Sequence, residues 1–254
     1  MDSAERTSPA GIAIVTGAAG GMGMQIARRL HADGRRVLLT DLEEETVIAA
    51  ARELSPDGST ARGMRLDAAH REGFEEALAE CRRLWGTPTI AVNNAAVTQA
   101  ADLMTLGEED FNRVLTINTN SIFFGCQVLG AAMAEQGFGR IVNMASLAGQ
   151  NGGTATGGHY AASKGATLTM TKVFARELAA QGVTVNAISP GPHDLPIVRR
   201  TVPPERLESV IAGIPVGRLG SASFVADMVG LLSADDAYFV TGACWDVNGG
   251  LYVR

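Results

Sequence analysis

The chain has 254 residues, of which 46% are hydrophobic and 19% charged, and its net charge is −6. That composition suits a globular protein with a sizeable core. An acidic balance with no basic stripe excludes nucleic acid as the expected partner. Three separated cysteines (Cys81, Cys126, Cys244) and four scattered histidines (His31, His70, His159, His193) provide neither a disulfide framework nor metal-ligand spacing.

No apolar run approaches the ~18 residues of a membrane span. The polar start Met1-Asp-Ser-Ala-Glu-Arg is unlike a signal peptide. A soluble, cytoplasmic protein without membrane contact is expected, with residues 1–10 mobile and 11–254 forming a single domain.

The first element is Ile12-Ala-Ile-Val-Thr16, a short β-branched run that predicts a strand buried on both faces. It enters Gly17-Ala-Ala-Gly20-Gly21-Met22-Gly23, and the helical stretch Met24 to Leu30 follows. Strand, glycine turn, helix is the context in which glycines let a pyrophosphate reach the free amides of a helix N-terminus. The second strand, Arg36 to Thr40, ends at Asp41, where dinucleotide folds place a carboxylate against the adenosine ribose. That carboxylate repels a 2′-phosphate, and Ala18 and Ala19 supply no basic side chain, so NAD(H) is favoured over NADP(H). Asp41 could also cap the next helix, 43–54.

A strand at 61–66, a helix at 70–85 and a fourth strand at 89–92 come next, leading into Asn93-Asn94-Ala95-Ala96. One long helix is expected over 108–136, with Asn118 on an otherwise apolar face, where a buried amide needs partners. A fifth strand, 140–144, ends near Ser146 in a glycine-rich loop. The next helix, 159–181, carries Tyr160 and Lys164 on one face, one turn apart. Taken alone, that pair reads first as a solvated helix face. The strand 183–188, the turn Ser189-Pro-Gly-Pro192, a helix at 221–233 and a strand at 243–247 complete the alternation. It predicts an α/β fold with a doubly wound, seven-stranded parallel sheet and helices on both faces.

Read together, these motifs resemble the short-chain dehydrogenase/reductase family in its compact form. The likeness runs from Gly11 to Gly250 and implies a Rossmann-type domain. Thr16-Gly17 through Gly23 matches the family's glycine turn, Asn93-Asn94-Ala95 its motif after the fourth strand, and Pro190-Gly191 the turn closing over the nicotinamide. Asn118, Ser146, Tyr160 and Lys164 fall where the family carries its catalytic tetrad. The implied roles are orientation by Ser146, proton exchange by Tyr160, lowering of the tyrosine pKa and ribose binding by Lys164, and a relay water held by Asn118. The implied cofactor contacts are Gly17, Gly20, Gly21, Met22 and Gly23 in the turn, then Asp41 and Leu42, and Asp67 and Ala68. Asn94, Ala95, Ala96, Tyr160, Lys164, Pro190 and Gly191 complete them.

Two positions depart from the pattern: Leu195 replaces a frequent threonine, and Ala96 a glycine. Thr167 stands where a wider-spaced enoyl-reductase lysine would be, which disfavours C=C reduction. The expected function is NAD(H)-dependent interconversion of a ketone and a secondary alcohol on a small-molecule substrate, close to the 3-oxoacyl-thioester reductases. The C-terminal Asp246-Val-Asn-Gly-Gly250 segment and the apolar face of 108–136 suggest a homotetramer. An epimerase-type relative and a non-catalytic NAD-binding scaffold are the alternatives. The segment 192–213 reads as a lid without clear periodicity, His193 as solvent-facing in it, and His159 as structural.

Overall fold

The computed structural model describes residues 11–153, 156–195, 198–199 and 203–254. The expected mobile N-terminus lies outside the described residues, as do 196–197 and 200–202 of the lid segment.

Seven strands form one parallel sheet. They are β1 (Ile12–Thr16), β2 (Arg36–Asp41), β3 (Ala61–Arg65), β4 (Ile90–Asn93), β5 (Gly139–Met144), β6 (Val183–Pro190) and, after two short strands, β9 (Cys244–Val247). Their order is β3-β2-β1-β4-β5-β6-β9. The pattern of β1 shows why both faces are covered: Ala13 and Val15 enter one core cluster, and Ile12 and Ile14 enter the other.

The first cluster joins α1 (Gly21–Ala32), α2 (Glu44–Leu54) and the helix Ala222–Leu232 through Ile26, Leu30, Val47, Val225 and Val229. The second joins α3 (Arg71–Leu84), α4 (Glu108–Phe124) and α7 (Gly158–Leu178) through Phe74, Cys81, Ile122 and Ala175. Each fully buried Leu or Phe side chain contributes roughly 1.5–3 kcal/mol. The chain leaves β1 for β2 on one side and returns to β4 on the other, which opens a crevice at the carboxyl ends of β1 and β4.

The helix expected over 108–136 is present but interrupted. α4 passes into a π turn, Gly125–Leu129, before α5 (Gly130–Glu135) resumes. A Cβ at Gly125 would overlap the Asn93 amide, so the helix is pressed onto the polar end of β4, and the wider turn carries it past. There Asn93 Nδ2 donates to Asn143 Oδ1 (2.8 Å) and Asn143 Nδ2 to Thr171 Oγ1 (3.0 Å), tying β4, β5 and α7 together.

The lid segment is more regular than its sequence suggests. His193–Asp194 forms β7, paired in parallel with β8 (Gly220–Ser221), and Pro204–Ala212 is a helix with proline in its first turn. At the sheet edges, β3 reads Ala-Arg-Gly-Met-Arg with Arg62 and Arg65 exposed, and on β9 the Cys244 carbonyl accepts from Arg254 Nη2 (2.8 Å). Among the described residues no helix is long and apolar enough to cross a membrane.

Candidate active site

The glycine turn sits at the β1–β4 crevice. Gly17 and Gly21 take positive φ (65° and 55°), a conformation that favours glycine. The glycines divide into two kinds. A Cβ at Gly17 would lie 2.9 Å from Ala95 Cα, and one at Gly23 would overlap the Gly17 carbonyl, so these two permit close packing. At Gly20 and Gly21 a Cβ would meet nothing within 4 Å. They line an open cradle.

α1 begins there with Gly20 at its cap, no side-chain cap and no acidic residue in its first turn. Its leading amides are available to an anion. The neighbouring loop secures the turn: Asn94 Nδ2 donates to the carbonyls of Thr16 (2.9 Å) and Gly17 (3.0 Å), and Thr16 Oγ1 accepts from the amides of Asn94 and Ala95 (both 3.0 Å). The Asn94 side-chain amide is thus spent on bracing the turn. The sequence singled out Thr16 only as part of the motif.

Asp41 closes the other side. Its Oδ2 accepts from the Ala19 amide (3.1 Å) and its Oδ1 from that of Glu43 (3.4 Å), so it fixes the glycine turn and the entry to α2 together. Leu42 beside it is 51% exposed. Asp67 accepts from the Ala69 amide (3.0 Å), and Ala68 is buried. Arg35 and Arg36 lie at the opposite end of β2, as expected, with Arg35 4.0 Å from Asp235. Sequence reading found no base near Asp41, yet the β2–β3 register sets the exposed Arg65 directly across from it. Only strand pairing reveals that neighbour. An open glycine cradle, uncapped amides and a carboxylate at the ribose position fit a dinucleotide.

The residues expected to be catalytic gather past the end of β5. Ser146 Oγ accepts from the Ala148 amide (3.2 Å) at the start of α6 (Ala148–Asn151). Gly149 lets this loop press onto α7, where its Cβ would stand 2.5 Å from the Lys164 carbonyl carbon. Lys164 is 3% exposed, and its Nζ donates to the Met144 carbonyl (2.6 Å) at 5.6 Å from the centre of the Tyr160 ring.

Burial lowers the Lys164 pKa to about 8. Burial also raises the Tyr160 phenol above its ordinary value, and the Ser146 hydroxyl, as a hydrogen-bonding partner, pulls it back. The sequence reading had Lys164 lowering the phenol. Within the protein itself burial prevails, because the ammonium is turned to a backbone carbonyl and not to the phenol oxygen.

Asn118 is 1% exposed and fully engaged. Its Oδ1 accepts from the Val97 amide (2.8 Å), and its Nδ2 donates to the Val97 carbonyl (2.9 Å) and to Ser163 Oγ (3.0 Å). Ser163 in turn donates to the Tyr160 carbonyl (2.7 Å). The side chain thus ties the loop after β4 to the tyrosine helix, and both amide hydrogens serve that tie. Ser163 went unnoticed in the sequence; its place one turn beyond Tyr160 was the available signal.

The Pro190–Gly191 turn is held from two sides, since the Pro190 carbonyl accepts from the Leu147 amide (3.0 Å) and the Gly191 amide donates to the Val247 carbonyl (2.8 Å). His193 corrects an expectation. It is 6% exposed, not solvent-facing, because its ring packs over Gly220 as β7 pairs with β8. His159 is fully buried beneath the loop before α7, beside Gly157.

A family model described as Enoyl-(Acyl carrier protein) reductase matches residues 17–252. The chain is 35% identical to the 3-oxoacyl-(acyl-carrier-protein) reductase FabG of Escherichia coli K12, covering 95% of this chain and 97% of that protein. The corresponding reductase of Pseudomonas aeruginosa PAO1 is 34% identical with the same coverage. A 2-(R)-hydroxypropyl-CoM dehydrogenase of Xanthobacter autotrophicus Py2 is 37% identical over 94% of this chain and 97% of its own length.

Proposed function

The chain belongs to the short-chain dehydrogenase/reductase family of oxidoreductases, and we propose that it interconverts a ketone and a secondary alcohol with NAD(H), using Tyr160 as the general acid and base. One observation carries this reading: Ser146, Tyr160 and Lys164 meet at the carboxyl end of β5, on the same edge of the sheet as the open glycine cradle that follows β1, with β4 between them. The names of these relatives describe a 3-oxo group and a 2-hydroxypropyl group, both consistent with ketone–alcohol chemistry. The family model's description names C=C reduction. Against that, Tyr160 and Lys164 are four apart, and Thr167 is fully buried with its hydroxyl donating to the Ser163 carbonyl (3.1 Å). A 3-oxoacyl-thioester or another small to medium carbonyl is the proposed substrate class.

In this reading Gly20, Gly21 and the α1 amides hold the pyrophosphate, Asp41 holds the adenosine ribose, and Lys164 and the Pro190–Gly191 turn receive the nicotinamide side. NAD(H), when bound, supplies or accepts the hydride. Ser146 orients the substrate oxygen. Tyr160, kept protonated by burial, gives it a proton during reduction and is left as phenolate, and in oxidation that phenolate takes the hydroxyl proton. Asn118 keeps the tyrosine helix in register.

The catalytic unit spans 11–254, with 192–213 as its lid, in a cytoplasmic setting suited to free thiols. The exposed Phe111, Phe123 and Val173 on α4 and α7 support a homotetramer. A light-scattering mass of one chain at micromolar concentration would refute that assembly.

A spectrophotometric panel of ketones and alcohols with both cofactors tests the activity. Two glycine variants test the cradle independently of turnover. Gly20→Ala enters open space and should keep the fold while weakening NADH binding at least ~10-fold by obstructing the phosphate approach. Gly23→Ala should disrupt the turn itself. Wild-type NADH binding in Gly20→Ala, or no turnover across the panel, would overturn the assignment.

A further inference from the structure

The Pro190–Gly191 turn has three backbone groups to secure. Leu147 and Val247 hold two of them through backbone bonds. The third, the Gly191 carbonyl, is met by a side chain: His193 Nδ1 lies 2.8 Å from it. A carbonyl only accepts, so Nδ1 carries the hydrogen and the ring is fixed in that tautomer.

The same ring is wedged into the lid. A Cβ at Gly220 would stand 2.6 Å from His193 Nε2, so the imidazole lies flush on β8 while its own backbone forms β7. Burial favours the neutral form, and among the described residues Nε2 meets no partner that a second N–H could use. Leu195, further along, has no hydrogen-bonding group in its side chain.

We propose that His193 is a positioning residue that holds the Pro190–Gly191 turn in the shape that receives the nicotinamide half of the dinucleotide and couples that turn to lid strand β7. The inference rests on the dinucleotide reading above. Its effect is on one half of the ligand, because the ring meets the Gly191 carbonyl and Gly220, whereas Asp41 braces the glycine turn; Gly21 shares a cavity with Asp194 and Gly220, but His193 does not line it. His193 thus decides how well the nicotinamide end is received, and leaves the adenosine end alone.

Two ligands separate the ends: NADH, and ADP-ribose, which lacks the nicotinamide. Their dissociation constants are measured by fluorescence and calorimetric titration, with thermal melts of the free protein alongside. His193→Leu removes the donor and keeps an apolar filler. His193→Asn restores a donor at the Nδ1 position. Gly220→Ala pushes the ring from its seat while leaving residue 193 a histidine, and serves if the leucine variant folds poorly.

The loss of one hydrogen bond should raise the NADH constant in His193→Leu roughly three- to tenfold. ADP-ribose should stay within about twofold, and His193→Asn should recover most of the NADH affinity. Gly220→Ala should follow His193→Leu. An unchanged NADH constant overturns the proposal, as does a parallel rise for both ligands with a lowered melting temperature, or no recovery in His193→Asn. If the unaltered protein binds neither ligand, the dinucleotide reading itself fails, and that result is distinct from all of these.

Discussion

Replacing Asn118 by alanine separates two accounts of this residue. A water-relay role predicts lost turnover with an intact fold. The observed bonds, 2.8 and 2.9 Å to Val97 and 3.0 Å to Ser163, predict damage to the scaffold as well. Removing the amide strips both backbone groups of Val97 of their partner. Val97 is only half-buried, so water can partly compensate, and the low end of the penalty applies: about 1 kcal/mol for each group. Ser163 keeps its bond to the Tyr160 carbonyl and adds little. With the small void, the total is about 2–3 kcal/mol. At this chain length each kcal/mol shifts the melting temperature by about 2–4 °C, so Asn118→Ala should melt about 4–12 °C lower. Differential scanning calorimetry with and without NADH provides the assay. A variant that melts within a degree or two of the parent yet loses turnover would refute the scaffold account and return Asn118 to the relay.

Tyr160→Phe should cut turnover by ~10²–10⁴-fold while NADH binding and melting temperature hold, with Ser146→Ala acting in the same direction; near wild-type turnover would remove the tyrosine from the chemistry. Asp41→Asn keeps an acceptor for the Ala19 amide but drops the charge, so it should narrow an NADH-over-NADPH preference chiefly through KM; NADPH preference in the parent would contradict the ribose assignment and point to Arg65. Lys164 titrates near 8 when folded against 10.5 when free. Between those values the unfolded chain binds more protons, so folding stability contributed by this site rises with pH. The melting temperature of the parent minus that of Lys164→Met should therefore grow from pH 8 to 10. A difference that stays flat or shrinks with pH would mean that burial does not lower the lysine in the folded protein.

Much of this was legible in the sequence because strand, glycine turn and helix each carry a local signature. Burial of every residue in β1, the turn glycines and the Tyr160–Lys164 spacing all express short-range geometry. What escaped was long-range. Arg65 faces Asp41 only through the β2–β3 register, and His193 is buried only because β7 finds β8 across the lid. The π turn at Gly125 answers pressure from Asn93, a residue of another strand. Direction also escaped: the Tyr160–Lys164 spacing cannot say that Nζ turns to the Met144 carbonyl.

The two rims of the sheet are both guarded by arginine. On β3 the exposed Arg62 and Arg65 put cations beside the unpaired backbone, and on β9 Arg254 occupies the Cys244 carbonyl while pairing with Asp246 (2.9 Å). An open edge invites strand addition from another chain, and charge at that edge discourages it. The consequence is negative selection during folding: partly assembled copies meet a cation wherever they could extend each other's sheet. The charged rims thereby work against fibre-like growth of the sheet from copy to copy.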